Sequence, residues 1–403
     1  MMTIQYTIPH GARHNPMPYA LTRDLHMLGA RLALAFALCG SVSAADATRK
    51  PNARLTAIQP GHGLDLGAFV VATPAGEPEN YGKGVTDYSG MVYDRWNHRI
   101  LLFGGGHATT FTDAIYAFDL ETLSWTALYQ PTPRKFYTPD NMEKGFWKAG
   151  EQGLYPRPIG RHTYDQLIVP DDRKQLYLMR SGCGPSTIAP GIGYFGGAGG
   201  VYDFATGRWE MVPPVPFGGY GDAAEYDPLT MKVVGVSASG FAIWDPQTRT
   251  SQPFSLRPKV NAYAGTLAYN PRDTAMYGFP VKTDPWRLEL DRAEPSKSKL
   301  TLLQPGGMAP PKVECAFAWD EANSVFGGNI QDGIAFGYDP VKNTWTSQAI
   351  AGLEGVSLVF HCLIYDPVSA VFVCIGSGPK TKGRRTYAFK PPADSAGRPA
   401  PNR

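Results

Sequence analysis

After residue 44 the chain has no apolar run long enough to cross a bilayer as a helix, so no membrane span is expected in its body. It also lacks long blocks of one charge sign. Its 38 Lys and Arg stand against 35 Asp and Glu, a formal net charge of +3, and this offers nucleic acid no electrostatic footprint. Only five cysteines occur in 403 residues, and no short paired-ligand spacing marks a metal finger. A copper-radical oxidase, which needs a Cys crosslinked to a Tyr with two His and a further Tyr, is disfavoured because no Tyr and His are adjacent, although Cys183 is at hand.

What the chain has in quantity is 45 Gly and 36 Pro, beside an ordinary hydrophobic content of 43%. Frequent chain reversal of this kind predicts many short strands. Residues 27–44, MLGARLALAFALCGSVSA, carry one Arg near the start, a short apolar run and small residues up to Ala44, the pattern of a secretory signal. The 26 residues before it are polar and punctuated by Pro and Gly, which points to a start at Met27. A lipoprotein reading through Cys39 is opposed by Leu38, where a small residue is expected. The expected organisation is therefore an extension and signal over 1–44, one domain over 45–391 and a disordered tail over 392–403, secreted or periplasmic. Beyond the signal, Cys183, Cys315, Cys362 and Cys374 remain where disulfides can persist. Cys362 and Cys374 flank one predicted hairpin. Adjacent strands in register rarely offer disulfide geometry, so free buried thiols are the alternative to a bridge.

A unit recurs six times: an apolar strand ending in aromatic-Asp-Pro or a variant, a polar turn, a second apolar strand, then an apolar-aromatic third strand ending in Asp, often followed by Trp. The first copy is GMVYDRWNHRILLFGGGH with AIYAFDLETLSW; the last is LIYDPVSAVFVCIG with RTYAFK. Anchors at Asp94, Asp171, Asp227, Asn270, Asp320 and Asp366 are separated by 77, 56, 43, 50 and 46 residues, close to the period of a four-stranded blade. The fold expected is an all-β propeller of six counted blades, and a β-sandwich is the weaker alternative because it requires no such repeat. The sixth copy lacks its fourth strand, so the N-terminal segment ARLTAIQP at 53–60 is expected to complete it and close the ring. The stretch 126–160, rich in Pro, Lys, Trp and Tyr, reads as a long functional loop or lid.

Strand alternation puts the starts of first strands and the ends of second strands on one face of the disc. Ends of second strands carry His107 in GGGH, Arg180, Lys282 and Lys380; starts of first strands carry Asp87, Arg161, His162 and Tyr164 in GRHTYD, Asp222, Tyr263, Glu314 and His361. Plain turn chemistry would be served there by Gly, Asn or Ser, so these titratable side chains are the site candidates. Eliminating a 4-linked sugar from a uronate needs a cation on the carboxylate, a base for the proton alpha to it, and an acid for the departing oxygen. Arg180 suits the first need, since guanidinium holds carboxylate in bidentate fashion. His107 and Tyr164 are the pair available for the other two. Asp87, Arg161, His162 and Tyr263 are the substrate-binding candidates. No cofactor is required, and the candidates for a metal site are His361, Cys362 and Cys315.

The blade signature resembles kelch-type propellers over nearly the whole of 45–391. Within it, GGGH at 104–107 followed by GRHTYD at 160–165 and Arg180 resembles the ulvan-lyase-type propeller polysaccharide lyases and relatives acting on rhamnose-uronate linkages. The resemblance implies a secreted polysaccharide lyase acting on an acidic polysaccharide or oligosaccharide, with His107, Tyr164 and Arg180 as catalytic residues. The sequence departs from that pattern at Thr86-Asp87, where the family tends to place a His, which unsettles the assignment of the base. The family also favours seven blades, so a divergent seventh is sought in 45–84 or 126–160. A non-catalytic propeller binding glycan or protein, or a glycoside hydrolase on the same face, are the alternatives.

Overall fold

In the computed structural model the described residues are 49–78, 81–82, 84–105, 112–148, 156–179, 198–217, 219, 221–238, 240–255, 257–260, 263, 265–281, 283–311, 316–379 and 383–392. Six antiparallel four-stranded sheets form the blades of a six-bladed propeller, with almost no helix. Blade 1 comprises Met91–Asp94, Arg99–Leu102, Tyr116–Asp119 and Ser124–Ala127. Blade 2 comprises Leu167–Ile168, Gln175–Leu178, Gly199–Asp203 and Arg208–Val212, and blade 3 runs from Ala223–Asp227 to Thr250–Ser255. Blade 4 runs from Thr266–Asn270 to Lys299–Leu302, and blade 5 from Ala318–Asp320 to Thr344–Ala349. Blade 6 takes Ser357–Asp366, Val371–Ser377 and Arg385–Lys390 from the end of the chain and His62–Ala68 from its beginning.

The repeat's acidic residues make its turns. After first strands, Asp94, Asn270, Asp320 and Asp366 accept the N–H of Trp96, Arg272, Asn323 and Val368 at 2.9–3.0 Å. After third strands, Asp119, Asp203, Asp245 and Asp339 each accept two successive N–H groups of the following turn. These are Asx turns, in which a short side chain substitutes for backbone in reversing the chain. They explain why the anchors are Asp or Asn rather than Glu or Gln.

Along each second strand, side chains alternate between the two neighbouring blades. In blade 1, Ile100 and Leu102 join the core shared with blade 6, while Leu101 and Phe103 join the core shared with blade 2. The same alternation continues around the disc and yields six apolar cores, one at each blade junction. The innermost strands touch in ring order, and blade 6 returns to blade 1 through a parallel bridge between His361 and Gly90. Gly235 in a second strand lets the Phe217 ring lie flat on it; a Cβ there would sit 2.0 Å from the ring.

Ring closure uses the N-terminal chain, as expected, but a different segment of it. The closing strand is His62–Ala68, paired from His62 opposite Lys390 to Ala68 opposite Arg385. Residues Ala53–Thr56, expected to be strand, form a helical turn in which the Asn52 side chain caps the Arg54 N–H. Leu55 and Ile58, three residues apart, both enter the core between blades 6 and 1, a helical spacing that a strand would not satisfy. Neither 49–78 nor the described part of 126–160 holds a seventh blade; the latter contributes a two-stranded hairpin, Met142–Glu143 with Phe146–Trp147. Cys362 and Cys374 are buried free thiols.

Two outcomes follow from this packing. Gly235→Ala should cost about 1–3 kcal/mol by forcing Phe217 out of its slot, seen as a lower midpoint in denaturant with unchanged slope. Removing residues 1–68 should abolish the cooperative melt and leave self-associating material, because the Arg385–Lys390 edge and the blade 6 to blade 1 core lose their cover. A truncated chain that melts as a compact monomer would contradict the closure.

Candidate functional site

On the face where first strands begin, blades 1, 2 and 6 bring together a cluster of rings. Tyr88 stacks on His162 with centroids 4.5 Å apart and meets Phe360 at 4.4 Å. Tyr164 lies edge-on to His162 at 5.7 Å and to His361 at 5.8 Å, and its phenol oxygen is 3.4 Å from His162 Nδ1. Of the pair, Tyr164 is the inner partner, only 2% exposed and packed on Val281, whereas His162 is half-buried.

Backbone strain marks the same place. Tyr88, Tyr164 and Phe360 hold φ of 57°, 46° and 49°. Other left-handed residues, among them His98, Met231 and Ala370, sit in hairpin turns where the conformation belongs to the turn. For three bulky rings that enter inner strands it costs about 1–3 kcal/mol each, and strain of this kind gathers at functional sites. Surrounding contacts hold it: the Thr163 N–H and the Tyr164 N–H both donate to Tyr88 O, and Thr163 Oγ1 bridges Phe103 O and the Gly90 N–H.

These three aromatics stand six or seven residues ahead of the anchors Asp94, Asp171 and Asp366, and Tyr263 stands seven ahead of Asn270. Tyr263 is 40% exposed at this equivalent position of blade 4. In the third repeat Tyr220 has the same place in the sequence, outside the described residues. An aromatic collar at one repeat position was therefore legible beforehand, but only after alignment on the anchors; Tyr88 and Phe360 escaped the sequence reading for that reason.

The remaining candidates fare differently. Asp87 is at the rim, paired with Arg384 at 3.2 Å. Arg161 is buried, donating to Ile159 O at 3.1 Å, to Ala198 O at 3.0 Å and to Gly145 O. Those contacts clamp the hairpin of the 126–160 loop and turn its guanidinium away from the role of an open substrate-binding group. His107, Arg180 and Cys315 lie outside the described residues. Among the described residues that precede the first two, the Gly105 N–H donates to Arg161 O at 2.8 Å and the Met179 N–H to Gln166 O at 3.0 Å. The Cys362 thiol points at the carbonyls of Thr86 and Ser89, and burial pushes its pKa up. No group of three His, Cys, Asp or Glu side chains with metal-binding geometry occurs among the described residues.

The long loop is a fixed wall rather than a flap where it is described. Asp113, fully buried, accepts the Thr132 N–H, the Thr132 hydroxyl, the Trp147 indole N–H and Arg157 Nε, all at 2.6–2.9 Å. Breaking such a buried charge pair costs several kcal/mol, so the loop is held to blade 1.

Two carboxyls occupy the axial channel. Asp165 of blade 2 accepts the Leu267 N–H of blade 4 at 2.6 Å, and since blade 3 stands between them this contact crosses the axial space. Burial pushes Asp165 from 3.8 up to about 7, against the pull of that N–H. Burial likewise pushes Glu225 of blade 3 up to about 8, the N–H of Tyr226 opposing and the nearby Asp165 charge reinforcing the rise. Both carboxyls are enclosed by protein even though their residues are only half-buried as a whole, so the low-dielectric setting governs. Inner strands expose one unpaired edge, and these carboxyls satisfy N–H groups on it.

No protein-family model matches the chain, and no curated protein matches it. Among solved structures, an auxiliary nutrient binding protein from Bacteroides thetaiotaomicron is similar over 76% of this chain and 69% of its own, at 10% identity and a TM-score of 0.46. The protein YjhT is similar over 75% of this chain and 93% of its own, at 12% identity and a TM-score of 0.47. The chemistry of the mouth therefore has to be argued from its own residues.

The raised carboxyls fix the sign of a pH effect. Folded Asp165 and Glu225 hold protons between pH 4 and their raised values, where the unfolded chain has released them, so stability is full at acid pH and falls as pH climbs toward about 7 and 8. Melting temperature should drop by a few degrees from pH 5 to pH 8, and the double variant Asp165→Asn, Glu225→Gln should flatten that slope. A slope unchanged in the variant would remove these groups as its cause.

Proposed function

We propose that this mouth binds an acidic, uronate-containing glycan and cleaves it by β-elimination, in a protein exported through the signal at 27–44. The observation that carries the reading is the half-buried His162 imidazole, stacked on Tyr88 and backed by the Tyr164 phenol at 3.4 Å, within the strained aromatic cluster. Aromatic faces are suited to the apolar faces of sugar rings, and a fixed imidazole is suited to proton transfer near neutral pH. The burial of Tyr164 favours exchanging the roles read from sequence: His162 becomes the proton-transfer group and Tyr164 the residue that positions it.

In this scheme the base takes the proton alpha to the uronate carboxylate, the C4–O4 bond breaks, and a C4–C5 double bond forms. The departing oxygen takes a proton from the acid. His162 and His107 supply base and acid between them, and Arg180 neutralises the carboxylate as enolate character develops. No cofactor enters the scheme.

Incubating the protein with ulvan, glucuronan, pectin and gum arabic should give ultraviolet absorbance from an unsaturated uronate on one of them. His162→Ala and Arg180→Ala should each lower kcat/KM by about 10²–10⁴-fold, and Tyr164→Phe should lower kcat less, with a shifted pH profile. A fully active His162→Ala would end the proposed role. Products heavier by one water would replace the lyase with a glycoside hydrolase, and binding without any product would leave a glycan-binding propeller.

A further inference from the structure

We infer that Arg384, on the blade 6 side of the same mouth, is a second carboxylate-recognition point, one that reads an acidic sugar flanking the reacting one. The inference rests on the reading of this mouth as an acidic-glycan site.

Arg384 directly precedes the third strand of blade 6, on the face that carries the aromatic cluster, and its side chain is 37% exposed. Its side-chain partner among the contacts described is Asp87, through one N–O contact at 3.2 Å. A guanidinium carries five donors in a planar fork, so a single N–O contact to Asp87 engages only part of it, and the side chain keeps 37% of its surface exposed. Other arginines are held by more contacts: buried Arg161 donates to three carbonyls, and part-buried Arg292 grips Asp227 through two nitrogens.

Both partners are held rigidly. Arg384 O accepts the Phe69 N–H at 2.9 Å, which ties it to the end of the closing strand. Asp87 lies in 86–89, fixed by Ser89 Oγ on Val85 O at 2.6 Å and by the Cys362 thiol beneath, which feels the charges of both Arg384 and Asp87. Asp87 directly precedes Tyr88, whose ring touches His162 of blade 2 on one side and Phe360 of blade 6 on the other. A chain of sugars passing His162 and Tyr88 toward blade 6 therefore meets Arg384. Asp87 acts there as an internal stand-in for a ligand carboxylate, keeping the guanidinium oriented and setting a threshold that neutral sugars do not cross.

The test compares two tetrasaccharides that differ in their C6 groups, β-1,4-linked tetraglucuronate and cellotetraose, by titration calorimetry on the full chain. A charge-assisted hydrogen bond predicts that the wild type prefers the acidic sugar by about tenfold or more. Arg384→Ala should cut that preference about tenfold and leave the share owed to Arg180, and Arg384→Lys should lose less because charge survives without the fork. Asp87→Asn separates recognition from structure, since it breaks the same ion pair but keeps the cation. If Arg384 reads carboxylate, Asp87→Asn keeps or strengthens the acidic preference; if only the ion pair mattered, it mimics Arg384→Ala. A wild type without acidic preference, an Arg384→Ala that keeps it undiminished, or an Asp87→Asn that loses it would overturn the inference. Failure of the lyase reading looks different: acidic preference dependent on Arg384 persists while no uronate polymer yields an unsaturated product.

Discussion

The structure depends on the apolar contact between one blade and the next. Each sheet is too small to bury its faces alone, and each has two faces to cover, so every blade needs a neighbour on both sides. Six blades satisfy this only if the last meets the first, and the closing strand His62–Ala68 supplies both the missing backbone partner and apolar cover at that junction. Leu55, Ile58 and Leu66 sit in the same core as Ile100 of blade 1 and Val373 of blade 6. The mouth that carries the site is formed on either side of this seam, by blades 6, 1 and 2.

Closure also explains how strain is sustained there. Left-handed backbone at Tyr88, Tyr164 and Phe360 is unfavourable locally and survives because bonds from other segments determine it. Tyr88 O is bound by the N–H groups of Thr163 and Tyr164, and His361 bridges to Gly90, so blades 1, 2 and 6 hold one another's entry turns. The result is a set of rings held in place by contacts from three blades.

Charge is distributed with the same economy. Buried charges at Asp113, Arg157 and Arg161 are matched by specific partners and hold the long loop in place. The channel carboxyls Asp165 and Glu225 cap edge N–H groups and are held toward their neutral forms by burial. At the mouth stand a half-buried imidazole, His162, and a guanidinium, Arg384, paired with Asp87 and 37% exposed.

The propeller with six counted blades, its strand order and its turn positions were legible in the sequence, though not the absence of a seventh, because they rest on contacts between residues close in the chain: Asp119 with Glu121 and Thr122, or the alternation of Ile100, Leu101 and Leu102. Closure by the N-terminus was legible too, from the missing fourth strand, but its register was not, since Asn52 as a cap and the spacing of Leu55 and Ile58 favoured a helical turn over 53–56. The face on which candidates gather followed from strand alternation, whereas their roles did not. Tertiary structure alone decided that Arg161 turns inward to three carbonyls, that Tyr164 lies behind His162, and that Arg384 meets Asp87 across 297 residues of chain. Local rules act over a few residues, while these pairings are set by which blades the closed ring makes neighbours, a property of the whole circuit that no single repeat contains.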